Sequence, residues 1–141
     1  MSLPEHLLVT ADYTGAGYRP LVDFAGWRVA VLRYTDELLP DRIEGMERHD
    51  ETDEVFVLLA GRCILFLGEG RETVEAVYAE DMQPLKVYNV KRGAWHSHTL
   101  SKDASVLIVE NRDTGDKNST QTALSEEQRR QLVKLTDALW R

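Results

Sequence analysis

Residues 44–61 read EGMERHDETDEVFVLLAG, and the way this stretch is placed decides how the rest of the chain folds. Val55 to Leu59 are dense enough in apolar and β-branched residues to form a core strand, and Gly61 closes it. Glu47, His49, Glu51 and Glu54 crowd the approach to that strand within eight positions. On an extended chain, residues two apart share a face, so Glu47 and His49 project together. Glu54 lies five residues beyond His49, far enough for a turn to bring it back from a neighbouring strand. A charged hairpin rim is one reading of this segment; half of a polar site beside a β core is the other.

Outward from this stretch, short apolar runs repeat in both directions. WRVAVLRY (27–34), RCILFLGE (62–69), KVYNV (86–90) and ASVLIVEN (104–111) are rich in Val, Ile, Leu and aromatics. Turn residues such as Gly68-Glu69-Gly70 and Lys102-Asp103 bound them. Several are apolar on both faces, as expected where two sheets enclose one core. No helical segment separates them, which points to an antiparallel sandwich or barrel rather than βαβ units.

The C-terminal end follows a different period. In LSEEQRRQLVKLTDALWR (124–141), Ser125 is followed three residues later by Gln128, a capping box, with Glu126 and Glu127 suited to the positive end of a helix. Leu132, Leu135, Leu139 and Trp140 fall at helical spacing, a packing stripe for the barrel or for a second subunit. The expected layout is one domain over 1–141, with a barrel core at about 27–111, a polar linker at 112–124 and a helix at about 125–141.

Bulk properties narrow the function. The chain has 141 residues, 43% hydrophobic and 29% charged, enough for one folded core. Its net charge of −7 and scattered basic residues argue against nucleic acid or anionic membrane as partner. No apolar run reaches the ~20 residues of a membrane-spanning helix, and MSLPEHLLVT lacks the features of a signal peptide. The one cysteine, Cys63, sits within CILFL and reads as a buried thiol, in keeping with a cytoplasmic location.

The second candidate half-site is GAWHSH (93–98). His96 and His98 share a face if this piece is extended, and Gly93 supplies the tight turn before them. Three of the four histidines thus fall in two short segments. Two imidazoles with one or two carboxylates make a normal ligand set for Zn, Mn, Fe or Ni. Trp95 reads as a packing residue, Tyr88 as a core tyrosine or proton donor, and Arg48 as outward-pointing. Arg33, Lys86 and Arg92 are surface charges or partners for a substrate carboxylate; His6 has no assignment.

These two segments resemble the paired motifs of the cupin superfamily, small barrels of the jelly-roll type. The first motif, H-x-H-x4-E-x6-G, is matched by Glu47, His49, Glu54 and Gly61, with Glu47 in place of the first histidine. The second, P-x-G-x-x-H, is matched by Lys91 to His96, with Lys91 in place of proline. The resemblance covers roughly 27–111 and implies a divalent metal held by Glu47, His49, Glu54 and His96, or a barrel that has lost its metal. A narrower likeness links MERH, YNVKRGAWHSHTL and VLIVENRD to the ureidoglycolate lyase group, although here Ser97 separates His96 from His98. That likeness implies elimination from a small polar carboxylic acid, with His98 or Tyr88 as acid or base. Together with the apolar helical stripe, the resemblance implies a homodimer. The alternative expectation is a small-molecule binding or sensing protein on the same barrel.

Overall fold

The computed structural model describes residues 2–141. Strands β1 (Gly17–Phe24), β2 (Trp27–Arg33), β3 (Gly45–His49), β4 (Glu54–Ala60), β5 (Cys63–Glu69), β6 (Ala76–Asp81), β7 (Val87–Val90), β8 (Trp95–Leu100), β9 (Ser105–Asn111) and β10 (Ser119–Ala123) precede helix α1 (Glu126–Leu139). They form two five-stranded antiparallel sheets, ordered β1-β2-β9-β4-β7 and β10-β3-β8-β5-β6. The expected β sandwich with a C-terminal helix is the observed fold. Its limits are wider than 27–111, because β1 precedes that range and β10 lies within the expected linker. Both are polar or mostly exposed edge strands, so neither carries the apolar signal that marks the inner ones.

Alternation assigns the two cores. Between the sheets lie Ala30, Leu32, Phe56, Leu58, Leu65, Val106 and Ile108. A second cluster sits on the outer face of the β10-β3-β8-β5-β6 sheet, where Ile64, Phe66, Met46 and Trp95 meet Leu132 of α1. Strand β5 contributes to both, Cys63 and Leu65 to one and Ile64 and Phe66 to the other, which is why CILFL is apolar without interruption. The second covering layer is the helix, not the opposite sheet. Cys63 is fully buried, and burial pushes its thiol up to about 12, so it is inert.

Helix α1 begins as its capping box requires: Ser125 Oγ accepts from Gln128 N–H, and Gln128 Oε1 accepts from Ser125 N–H. Leu132 is fully buried against the chain's own sheet, and Leu135 and Trp140 pack beside it. Leu139 departs from the expected stripe; it is 37% exposed, and Thr136 takes the second buried position. Leu132, Leu135 and Trp140 thus pack within one chain, and Leu139 does not. No helix among the described residues is long and apolar enough to cross a membrane.

Two glycines hold the connections in place. Gly61 has φ +70°, and a Cβ there would lie 2.6 Å from Ala104 Cα, so the β4–β5 turn requires glycine. Gly93 has φ +82° and donates its N–H to His49 O at 2.8 Å. This bond ties the end of β3 to the turn before β8.

Candidate metal and acid–base centre

The two histidine segments meet because β3 and β8 are neighbours, with Glu47 directly opposite His96. Glu47 and His49 on β3, and His96 and His98 on β8, face the interior between the sheets. Their sequence neighbours face outward, where the Arg48 guanidinium lies 4.4 Å over the Trp95 ring. Glu54 arrives from elsewhere than expected. The turn after His49 crosses from one sheet to the other, so Glu54 opens β4 in the facing sheet and reaches across the interior.

There its Oε1 lies 3.3 Å from His49 Nε2 and 3.1 Å from His96 Nε2. Glu47 Oε1 is 4.0 Å from His49 Nε2, with its side chain partly in solvent at the mouth. His96, Glu54 and His49 are all buried. Each imidazole is fixed through its other nitrogen. His96 Nδ1–H donates to Ala94 O at 3.0 Å, and His49 Nδ1 lies 2.8 Å from Ser119 Oγ, on the strand that was expected to be linker. Both rings therefore turn Nε2 to the centre, the arrangement that metal-ligating histidines use.

A second buried carboxyl group, absent from the sequence expectations, completes the centre. Glu110 on β9 is buried and hydrogen-bonded to Glu54, and its Oε1 accepts from Tyr18 Oη and, at 2.9 Å, from Arg28. Arg28 and Glu110 are direct cross-strand partners on β2 and β9. Both could have been found by period two: Arg28 is in phase with Ala30 and Leu32, and Glu110 with Ile108 and Val106, on the core face of their strands. A charge in phase with core residues is the signal.

The two carboxyls divide one proton unequally. Burial raises both, but hydrogen bonds from His49, His96 and Glu110 outweigh it at Glu54 and hold that group well below the usual carboxylate range. Glu110, pushed up by burial and then by its bond to Glu54, rises to about 7. Burial pulls His49 down, yet the bond and charge of Glu54 prevail and leave it above its ordinary value. His98 is driven down to about 4, by burial first and then by the charge of His96.

Donor atoms of Glu47, His49 and His96 lie within 4.8 Å of one another, as do those of His49, Glu54 and Glu110. Two oriented imidazole nitrogens with several carboxylate oxygens suit a divalent transition metal by donor chemistry. Glu54 and Glu110 equally suit proton transfer, since one is a carboxylate and the other titrates near neutrality.

A cavity of about 270 Å³ adjoins the centre, lined by Arg28, His49, Glu54, Phe56, His98 and Glu110 among others. A wider cleft of about 720 Å³ opens where β3 diverges from β8 and reaches Glu47, His96 and His98. His98 lies between both openings, 6.0 Å from the Phe56 ring.

Tyr88 is not in this constellation. Although it lies opposite Phe56 on β7, its hydroxyl accepts from Gln83 N–H at 2.8 Å, and it lines a different groove between β6 and β7. Trp95 packs in the outer core and donates to Gly70 O at 2.9 Å, away from the cavity. Arg33 bonds Ser105 Oγ, Lys86 is exposed, and Arg92 is held through its backbone by Asp53. None of these three lines the cavity; the arginine that does is Arg28. Glu51 stays at the surface, accepting from Asn118.

No protein-family model matches the chain, and no curated protein does. Solved structures do. A cupin-2 domain protein from Shewanella frigidimarina aligns over 71% of this chain and 85% of its own, at 16% identity and TM-score 0.51. BH2720 from Bacillus halodurans aligns over 72% and 74%, at 16% identity and TM-score 0.53. Pac13, described as a nucleoside dehydratase, aligns over 82% and 87%, at 8% identity and TM-score 0.51. At identities this low, the likeness is one of fold.

Proposed function

We propose that this chain, a cupin by fold, is an enzyme of lyase type acting on a small polar carboxylic acid. The observation that carries this reading is the convergence of His49 and His96 on Glu54, backed by a second buried carboxyl on Glu110. Packing alone does not call for such a cluster, because burying ionisable groups costs free energy that an apolar core avoids.

His49, Glu54 and His96, with Glu47 at the mouth, are the residues that would hold a divalent ion such as Zn, Mn, Fe or Ni. Bound there, the ion would supply a Lewis acid that polarises a carbonyl or carboxylate oxygen. The protein's own groups supply the proton chemistry. Elimination needs one group to take a proton and one to give it, and Glu110 is poised for either role near neutral pH. Glu54 stays ionised and holds the two imidazoles in orientation. His98, neutral over the same range, faces both openings and is suited to hydrogen-bond the substrate rather than to act as a strong base. A metal-free form of the reaction would use the same two carboxyls directly.

The finer assignment, a ureidoglycolate-lyase-like activity, rests on the MERH and GAWHSH likeness, and such an enzyme would release urea and leave glyoxylate. Elemental analysis of untagged protein, with urea release from ureidoglycolate and turnover across small carboxylic acids and ureides, tests the reading. Wild type should carry near-stoichiometric divalent metal, and His49→Ala and His96→Ala should lose both metal and turnover. Metal-free wild type that turns over no acid, yet still binds one, would replace the enzyme with a small-molecule binding or sensing protein.

A further inference from the structure

Among the described residues, four buried side-chain polar atoms have no hydrogen-bond partner: Arg28 Nε, Arg48 Nε, His98 Nδ1 and Thr114 Oγ1. Buried polar groups are nearly always paired, so each exception calls for a reason. Arg48 Nε lies on the outer face, 3.2 Å from an Asp50 carboxylate oxygen. The other three belong to residues that line the one 270 Å³ cavity beside Glu54. They come from β2, β8 and the turn after β9, distant in sequence, and no shared local motif accounts for their agreement.

Arg28 is held still before any ligand binds. One terminal nitrogen donates to Glu110 Oε1 at 2.9 Å and to Thr114 O at 3.0 Å, and the guanidinium lies 5.8 Å from the Tyr18 ring centroid. The same contact holds Thr114 against Arg28, and the guanidinium Nε–H and the Thr114 hydroxyl, both buried in the wall of the cavity, are left without partners. A guanidinium only donates, and its planar fork matches a carboxylate better than any neutral acceptor. The rest of the wall includes Leu32, Phe56 and Ile108, apolar surface that suits a short carbon skeleton. The volume lies at the small end of ligand sites.

We propose that Arg28 and Thr114 form a carboxylate-binding subsite of this cavity, with His98 hydrogen-bonding a hydroxyl or carbonyl next to that carboxylate. The ligand class is a short 2-hydroxy or 2-oxo acid. The inference rests on the reading of the cavity as a substrate site and adds the residues that recognise the substrate, none of which belongs to the two histidine segments except His98.

The test measures binding rather than turnover. Calorimetry on the full chain compares glycolate, lactate and malate with their amides, for wild type, Arg28→Lys and Thr114→Val. At least one acid should bind wild type roughly tenfold more tightly than its amide, and each variant should weaken that acid by roughly tenfold. Thr114→Val should melt no lower than wild type, because it deletes a hydroxyl that has no partner. Equal binding of acid and amide, no binding of any acid, unchanged affinity in both variants, or a lower melting temperature for Thr114→Val would each overturn the subsite. Metal content measured on the same samples separates this outcome from failure of the centre. A wild type without metal whose acid binding still needs Arg28 loses the metal centre and keeps the subsite. Full metal with indifferent acid binding does the reverse.

Discussion

The two ends of the barrel interior are built by the same strands and differ completely in chemistry. Going along β4, the inward positions are Glu54, Phe56 and Leu58; along β8 they are His96, His98 and Leu100. On β9 they pass from Glu110 through Ile108 to Val106, and on β2 from Arg28 through Ala30 to Leu32. Each strand starts or ends on an ionisable group and becomes apolar within two inward positions. The apolar end removes carbon surface from water at roughly 25 cal/mol per Å² and stabilises the fold. The polar end draws its groups together against desolvation, and its net contribution to stability is small. Stability and chemistry are thus segregated along one axis of one barrel.

The sharpest way to break this comparison is at the apolar end. Leu58 is 1% exposed, and Leu58→Ala should cost about 2–5 kcal/mol in denaturant unfolding, with the metal content of the folded fraction unchanged. A cost near zero would mean that the interior is not packed as described. The outer core gives the next largest effect. Leu132→Ala should cost about 2–3 kcal/mol, whereas Leu139→Ala, exposed on the same helix, should fall within about 0.5 kcal/mol of wild type. Equal losses at both positions would place Leu139 in an interface that a single chain does not contain, and mass in solution would then identify a dimer.

At the polar end the expected stability changes are smaller. In protein stripped of divalent ions, His49→Ala and His96→Ala should each cost about 1 kcal/mol, the net worth of one hydrogen bond, because Glu54 keeps the other imidazole and Glu110 as partners. Losses of about 3 kcal/mol would make these histidines structural partners and erase the contrast between the two ends.

The finest test is a pH series on Glu110→Gln, also without metal. Glu110 titrates at about 7 in the folded chain, above its ordinary value of 4.5. The folded state therefore keeps a proton that the unfolded chain releases. That contribution is complete below about pH 4.5, fades as pH rises, and is gone above about 7. Glutamine mimics the protonated form, so the variant should gain on wild type across that window and run parallel to it above. Parallel curves throughout would show that Glu54 and Glu110 do not share a proton.

Much of this was legible before folding. Period-two alternation and the absence of helical spacers were enough for an antiparallel β architecture, and Ser125 with Gln128 marked the start of α1 within a residue. His49, His96 and Glu54 could be grouped as one candidate centre because the motif spacing and local turn chemistry at Gly61 and Gly93 are properties of short segments. Only tertiary structure decided that Glu54 arrives from the facing sheet and that the continuous apolar run of β5 serves two cores. The same holds for Ser119, Tyr18 and Thr114, which belong to an edge strand or a turn, where local sequence looks like surface. Period two puts Arg28 and Glu110 on the core face of their strands, but not beside each other or beside Glu54. Their meaning comes from pairing between residues 82 and 92 positions apart, as at Arg28–Glu110 and Tyr18–Glu110. A local pattern determines which face a residue takes; only closure of the sheets determines what it faces.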